Sequence, residues 1–409
     1  MSREGWRTYK LNEFAEVQNG YAFKSDDFVK KGIPVIKIKN LVSPNVTFED
    51  VQYFNGKTND KLKPFFIRKN DILISMTGSH LNQLASAVGK IARYQFDYPA
   101  LLNQRVGKIY VKDRSICDEG YLFYFLNRIE TQIELASTAG GSANQANISP
   151  SQIKNLSLLL PPLPTQRRIA DILSAMDNKI ELNRQTNATL EAIAQTIFKE
   201  WFVDFNFPGA TGEMVESELD MIPRGWRVLP LDEIANFLNG LALQKYPRGN
   251  DHDYLPAIKI RELKNGVTDS SDRVSRNIPE KYIIQDGDLI FSWSGTLEVK
   301  FWVGGEGALN QHLFKVTSKE YPLWFCYFWI LHHLEEFRNI AKDKTTTMGH
   351  IQRTHLSTAL CLVPDNLNQI NKMIHPIIEK AINNEKEMLS LAQTRDNLLP
   401  KLMSGEIEV

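Results

Sequence analysis

The side chains best suited to bond-making chemistry do not assemble into a reaction centre along this chain. Its eight histidines show no metal-ligand spacing: His332 and His333 are adjacent, and His350 and His355 are five apart. No Gly-x-x-x-x-Gly-Lys-Ser/Thr phosphate loop occurs, and Gly304-Gly-Glu-Gly307 reads as a turn. An adenine methyltransferase would need an Asn/Asp-Pro-Pro-aromatic element and a Gly-rich cofactor loop, and neither stands in a convincing context. Cys117, Cys326 and Cys361 are too few and too scattered for a disulfide framework or a zinc knuckle. The chain is therefore expected to be non-catalytic, with no metal and no cofactor. What it offers instead is hydrogen-bonding side chains in short polar runs, and the runs come in pairs. Thr77-Gly-Ser79 is matched by Ser294-Gly-Thr296, Asn103-Gln104 by Asn310-Gln311, and the loop 138–147 by 342–350.

The pairing extends to the whole sequence. Gly5-Trp6-Arg7, Leu11, Glu13, Ala15 and Asn19-Gly20 return as Gly225-Trp226-Arg227, Leu231, Glu233, Ala235 and Asn239-Gly240. Pro34–Leu41 returns as Pro256–Leu263, and Asp71-Ile-Leu-Ile-Ser75 as Asp288-Leu-Ile-Phe-Ser292. The offset drifts from 220 and 222 residues to 217 and then 207, as loops of unequal length require. A period this long means two copies of a domain rather than a solenoid of small units. Similar domains with different loops suggest two related but non-identical binding tasks.

Bulk composition sets further bounds. At 409 residues and 43% hydrophobic content the chain can fill the cores of two or three domains. No apolar run approaches the ~20 residues of a membrane span, and MSREGWRTYK lacks the apolar stretch of a signal peptide. A cytoplasmic protein without a membrane partner is expected. The net charge of zero conceals a division: residues 1–160 carry 21 Lys and Arg against 15 Asp and Glu, and residues 223–363 carry 17 against 16. Cations concentrate in the first copy.

Short apolar runs bounded by Gly, Asn and Asp predict strands at 35–38, 72–74, 257–260 and 289–291, with buried aromatic helices at Tyr121–Leu126 and Leu323–Leu331. The period then changes. Ile169, Leu173, Met176, Ile180, Leu190, Ala194, Ile197 and Trp201 follow a heptad seam, as do Ile370, Ile374, Ile377, Ala381, Met388, Leu391, Leu398 and Leu402. Asn183, Asn187, Asn384 and Arg395 interrupt it, and a buried Asn there would fix register. Pro376 should kink the second helix or delay its start. Phe198, Trp201, Phe202 and Phe205 suit packing against the second helix or its domain, or alternatively a docking face. The expected fold is α+β: two similar mixed domains separated by two long helices in an antiparallel coiled coil, pseudo-twofold overall. The boundaries read as a first domain at 1–160, a helix at 161–206, an acidic linker at 207–222, a second domain at 223–364, and a helix with its tail at 365–409. About 33 helical residues at ~1.5 Å rise would make a ruler of roughly 50 Å, which suits inverted half-sites on duplex DNA.

These features carry a family resemblance. The Gly-Trp-Arg starts, Asp71–Gly78, the two Asn-Gln pairs, Ile148-Ser-Pro-Ser-Gln-Ile153 leading into Pro161-Pro-Leu-Pro-Thr-Gln166, Lys199-Glu-Trp-Phe-Val-Asp-Phe205 and Leu398–Ile407 together resemble the specificity subunit of type I restriction–modification systems. The resemblance implies two target recognition domains, each reading half of a split, asymmetric double-stranded DNA sequence. It also implies helices that bind two modification subunits, which methylate adenine at N6, and further restriction subunits that translocate and cleave with ATP. Asp365-Asn-Leu-Asn-Gln369 departs from the fuller Pro-Pro-Leu-Pro-Thr-Gln form.

On this reading, polar loops hold phosphates and read base edges. The first copy's candidates are Lys37, Lys39, Asn40, Thr77, Ser79, His80, Asn82, Gln83, Arg105, Ser142, Asn144, Gln145 and Asn147. The second copy's are Lys259, Arg261, Glu262, Ser294, Thr296, His312, Lys344, Thr345, Thr346, His350, Gln352 and Arg353. Positions that differ between copies, such as Asn40 against Glu262 and Arg105 against His312, are the stronger specificity candidates; shared Gly78 and Gly295 suit tight turns. Three other readings stand beside this one: a coiled-coil scaffold whose repeated domains bind protein, an enzyme such as a nuclease or a methyltransferase remnant, and a subunit serving a fused endonuclease–methyltransferase.

Overall fold

Aliphatic and β-branched runs placed between turn residues set the strands of this protein. Its computed structural model describes residues 4–56, 60–80, 83, 88–142, 145–249, 253–343 and 349–409, without the side chains of Ser142 and Asp343. The chain divides into two compact units, Met1–Asn178 with Ala392–Val409, and Lys179–Leu391.

In the first unit, Ile72–Ser75 is buried at every position. It lies between Val106–Val111 and Ile91–Arg93, both antiparallel to it. An unbroken apolar run, rather than alternation, is what a strand covered on both faces requires. Ala15–Asn19 pairs on the far side of Val106–Val111, while Asn45–Val46 and Leu41–Val42 extend the other edge to make six strands. A five-stranded sheet stands beside it, with Ile33–Ile36 parallel to Ala100–Leu102 at its centre. The aromatic helix Glu119–Leu126 covers the six-stranded sheet and buries every residue from Tyr121 to Leu126. Asp118 caps it, accepting from the Tyr121 amide at 3.0 Å.

The second unit repeats this order with fewer edge strands. Asn236–Asn239, Leu313–Thr317, Leu289–Ser292 and Val299–Phe301 form one sheet. Arg273–Ser275, Tyr254–Ile258, Gly307–Leu309 and Ile283–Ile284 form the other, again with a parallel central pair. A buried helix, Leu323–Asp343, takes the place of the shorter aromatic one. The sequence repeat is thus a repeat of strand order and pairing. Residues 207–222 are more than a tether, because Met214–Ser217 pairs with Asp220–Pro223 as a hairpin.

Shared motif residues prove to be framework. Asp71 accepts from the Arg68 amide at 2.8 Å and pairs with Lys108 at 3.2 Å; Asp288 accepts from Gln285 at 2.7 Å and pairs with Lys315 at 2.7 Å. Each Asp therefore closes a turn before the central strand and anchors the neighbouring strand. Gly20 and Gly240 lie so close to the next segment that an added Cβ would stand 2.1 and 2.2 Å from the carbonyl oxygens of Asn103 and Asn310. Gly295 has a φ of +64°, as a turn requires, whereas Gly78 lies in a short strand opposite Ala146. The tight-turn reading of Gly78 is corrected by that strand pairing.

The long helices run Leu163–Phe198, continued by a wider-wound turn at Lys199–Val203, and Asn368–Ser404. The seam positions Ile169, Leu173, Asn183, Ile374, Asn384 and Leu402 are buried; Met176, Ile180, Asn187, Leu190, Ile197, Trp201, Ile370, Ile377, Met388, Leu391 and Leu398 are half-buried. Within the first unit the helices cross at Asp177, whose Oδ1 accepts from Arg395 at 2.7 Å and whose Oδ2 accepts from the Tyr124 hydroxyl at 2.6 Å. Within the second, Asn384 donates to Asn187 Oδ1 at 2.8 Å, Asn187 donates to the Ala381 carbonyl at 2.9 Å, and Asn183 donates to Glu387 at 2.8 Å. In the second unit partners descend on one helix as they ascend on the other, so the helices are antiparallel there. Phe198, Phe202 and Phe205 pack against Phe328, Phe325 and Trp226 of the second unit, which is the packing role rather than a docking face.

Gln166 explains the Pro-Pro-Leu-Pro-Thr-Gln motif. It is buried, donates to the Ile116 and Pro161 carbonyls, and accepts from the Asp118 amide. The second copy lacks this clamp and substitutes a bond from Trp324 Nε1 to Asn371 Oδ1 at 2.7 Å. Pro376 does not delay the second helix, which starts at Asn368 and runs through it. Ile374, fully buried two residues earlier, holds that turn on the core. No helix among the described residues is long and apolar enough to cross a membrane.

Candidate nucleic-acid interface

At the end of each central strand one backbone frame is built twice. In the first unit the Met76 amide donates to the Arg105 carbonyl at 2.9 Å, and the Ile148 amide to the Met76 carbonyl at 3.0 Å. In the second, the Trp293 amide donates to His312 at 3.3 Å, and Ile351 to Trp293 at 3.0 Å. Thr77 lies opposite Asn147, and Ser294 opposite His350. Three polar segments distant in sequence are thereby gathered onto one surface in each unit. They carry Thr77, Ser79, His80, Arg105, Gln145 and Asn147 in the first, and Ser294, Thr296, His312, His350, Gln352 and Arg353 in the second.

The side chains on the two frames differ. Thr77 is nearly buried and donates to Asn147 Oδ1 at 2.8 Å, while Arg105 is exposed and Asn147 is exposed beside it. In the second unit the Ser294 hydroxyl meets His312 Nδ1 at 3.0 Å. The Trp293 ring has His312 at 5.8 Å and His350 at 6.1 Å, and its Nε1 donates to Asn239 Oδ1 at 3.0 Å and to the Gln311 carbonyl at 3.2 Å. Arg353 donates to the Phe237 carbonyl at 3.0 Å and lies over the Phe314 ring, so its guanidinium is partly used internally. Gln352 stands at the N-terminal position of the helix Arg353–Thr358, where its amide donates to His355 Nδ1 at 3.0 Å.

Other expected readers are framework. Asn40 is fully buried; its Oδ1 accepts from the Lys37 amide at 3.1 Å and its Nδ2 donates to the Glu49 carbonyl at 3.1 Å. Glu262, at 1% exposure, accepts from the Lys259 amide, from Arg261 and from Ser271. Neither side chain reaches solvent, so the expectation that Asn40 and Glu262 read bases is corrected: both cap the turns that follow their strands. Burial resists ionisation of Glu262, but the hydrogen bonds from Arg261 and Ser271 outweigh it and hold the carboxyl below its ordinary range. Thr77 and Ser294 likewise have little surface to offer, at 9% and 3%. Lys37 bonds Gln52 and covers the Phe28 ring; burial, then the charge of Lys39, lowers its pKa. Lys259 is paired with Asp272. Asn82, Asn144, Lys344, Thr345, Thr346 and the side chain of Ser142 lie outside the described residues.

Lys39 remains half-exposed, with Asp50 at 3.8 Å. It lines an open groove of about 660 Å³ with Ser43, Thr77, Lys90, Asn127 and Arg128. The groove gathers cations in the unit whose sequence already carried the excess.

The duplication has a counterpart among known proteins. The family described as "Type I restriction modification DNA specificity domain" matches residues 3–192 and again residues 223–389. The chain belongs to this family. It is similar to the type I restriction enzyme MjaIX specificity subunit of Methanocaldococcus jannaschii, at 27% identity over 99% of this chain and 94% of that one. It is also similar to the EcoBI specificity subunit of Escherichia coli, at 21% identity over 99% and 86%. The crystal structure of a type I restriction-modification S subunit from M. genitalium shares the fold, with a TM-score of 0.58 at 16% identity over 97% of this chain and 96% of that one.

Residues of the second frame and of the groove carry little signal in the sequence. Trp293, Gln311 and Asn239 were absorbed into strands and shared motifs, and Lys90 and Arg128 lie outside any repeated run. A usable signal existed for Trp293: the residue after the shared Ser75 and Ser292 is Met in one copy and Trp in the other.

Proposed function

We propose that each unit reads one half of a split, asymmetric sequence in double-stranded DNA, and that the chain seats two modification subunits and the restriction subunits on that target. The chain directs adenine-N6 methylation and cleavage performed by those partners and performs neither. The cytoplasm is its proposed location. The observation that carries this reading is the frame built twice with different polar side chains: one architecture, two non-identical readers, as an asymmetric target requires. Phosphate contacts from groups such as Lys39 and the groove cations would supply affinity, and the frame residues would supply sequence discrimination.

The test is duplex binding by the chain assembled with its modification subunit, followed by fluorescence anisotropy across a salt series. Log K is expected to fall linearly with log salt, with a slope of roughly −0.9 for each phosphate neutralised. Salt-insensitive binding, or none from an assembled complex, would overturn the reading in favour of a protein-binding scaffold.

A further inference from the structure

Once the framework residues are set aside, few side chains among the described residues of the two matched frames are left to tell the half-sites apart. Asp71 and Asp288, Gly20 and Gly240, and the side chains of Asn103 and Asn310, which accept from the amides of Arg105 and His312, do the same work in each unit. Asn40 and Glu262 are buried caps. On the matched backbone frame, the surface pairs that differ in chemistry are Arg105 against His312 and Asn147 against His350. Beside them, Met76 is buried, whereas Trp293 in its place is partly exposed.

We infer that Arg105 and Asn147 determine one half of the target, with Arg105 reading a guanine, and that Trp293, His312 and His350 determine the other through a ring surface suited to a thymine methyl group. The inference rests on the reading that each unit recognises one half-site. Arg105 is exposed, and among the described residues its guanidinium has no hydrogen-bond partner or ion pair; only its main chain is engaged. Two parallel donors from a planar fork match guanine O6 and N7, the commonest specific contact in the major groove. Asn147 is exposed and accepts the Thr77 hydroxyl through Oδ1, which leaves its amide nitrogen as the donor it can offer. The second frame carries no equivalent cation at this position. His312 Nδ1 is taken by Ser294, and the two imidazoles flank a Trp ring whose Nε1 is fully used by Asn239 and the Gln311 carbonyl. With His312 Nδ1 bonded to Ser294, its Nε2 at 3.4 Å from Gln311 Nε2, and the indole Nε1 spent, ring carbon is what His312 and Trp293 have left to present, and the apolar feature of the major groove is the thymine methyl.

The experiment is a map of N6-methyladenine in DNA from cells making the chain with its modification subunit. Wild type is compared with Arg105→Lys, with the paired exchange Arg105→His/Asn147→His, and with the reciprocal His312→Arg/His350→Asn. Arg105→Lys keeps the charge on an exposed side chain and removes the fork. It is expected to relax a guanine in one half by about tenfold or more, leaving the other half unchanged. The paired exchange should alter that same half, and the reciprocal exchange only the other. Wild-type preference in all three variants would overturn the inference while leaving the wild-type bipartite motif, and hence the proposed function, intact. A wild-type complex with no motif would instead strike the proposed function. Should an exchange abolish methylation, thermal melting separates misfolding from lost recognition, and Arg105→Lys still decides the matter.

Discussion

Gly240 and Glu262 show how much of a recognition domain is spent on holding its loops. Gly240→Ala forces a methyl to within 2.2 Å of the Asn310 carbonyl oxygen. An overpacking cost of about 1–3 kcal/mol, read as a lower melting temperature, is expected. Glu262→Gln leaves Arg261 and Ser271 without their charged acceptor and should cost ~1–3 kcal/mol. Because the folded carboxyl titrates below its ordinary range, its contribution is present above the unfolded value and lost as pH falls through the folded one. The melting difference between wild type and Glu262→Gln should therefore be full near neutrality and close below about pH 4. A difference independent of pH would contradict the charged role. Sequence comparison of the copies took Asn40 and Glu262 for readers because they differ. Their spacing held the contrary signal: each stands three residues after a lysine whose amide it accepts, as in a capping box. Difference between copies identifies specificity only where the side chain also reaches the surface, and exposure is set by long-range pairing that local pattern does not contain.

The long helices were legible because a heptad repeat is a direct consequence of one buried face. Their polar interruption was legible as well, but its partners were not. Asn384 donates to Asn187, which donates onward to Ala381, so the two amides act as a unit. Asn384→Leu alone should destabilise the helix pair by ~1–3 kcal/mol by leaving Asn187 Oδ1 without its donor. The double change Asn187→Leu/Asn384→Leu should recover much of that loss, giving a coupling energy of about 0.5–3 kcal/mol in a double-mutant cycle. Additive effects would show that the amides are solvated separately. The later start expected at Pro376 does not occur: the local rule assigns a helix-interior proline about 3 kcal/mol, while burial of Ile374 lies in tertiary packing. The clamp at Gln166 was visible only as a motif; its three partners come from segments up to fifty residues away.

At the scale of the molecule, the duplication was legible because matched strands keep their spacing and apolar character while loops drift, and both sheets recur with the same order. The uneven charge was legible too, and the structure gives the first unit's cations a groove at Lys39, Lys90 and Arg128. What composition could not supply is the geometry by which Arg105, Asn147 and the end of a buried strand meet. Replacing residues 1–160 with the corresponding segment of another family member should change one half of the methylated motif and preserve the other, which sequencing of modified DNA would show. The most direct measurement is the N6-methyladenine map of DNA exposed to this chain with a competent modification subunit. A single motif of two short, different half-sites around a fixed gap, with adenines on opposite strands, is the expected result. A stable complex that methylates without such a motif, or methylates nothing, would contradict the assignment of this chain as the reader of a divided DNA target.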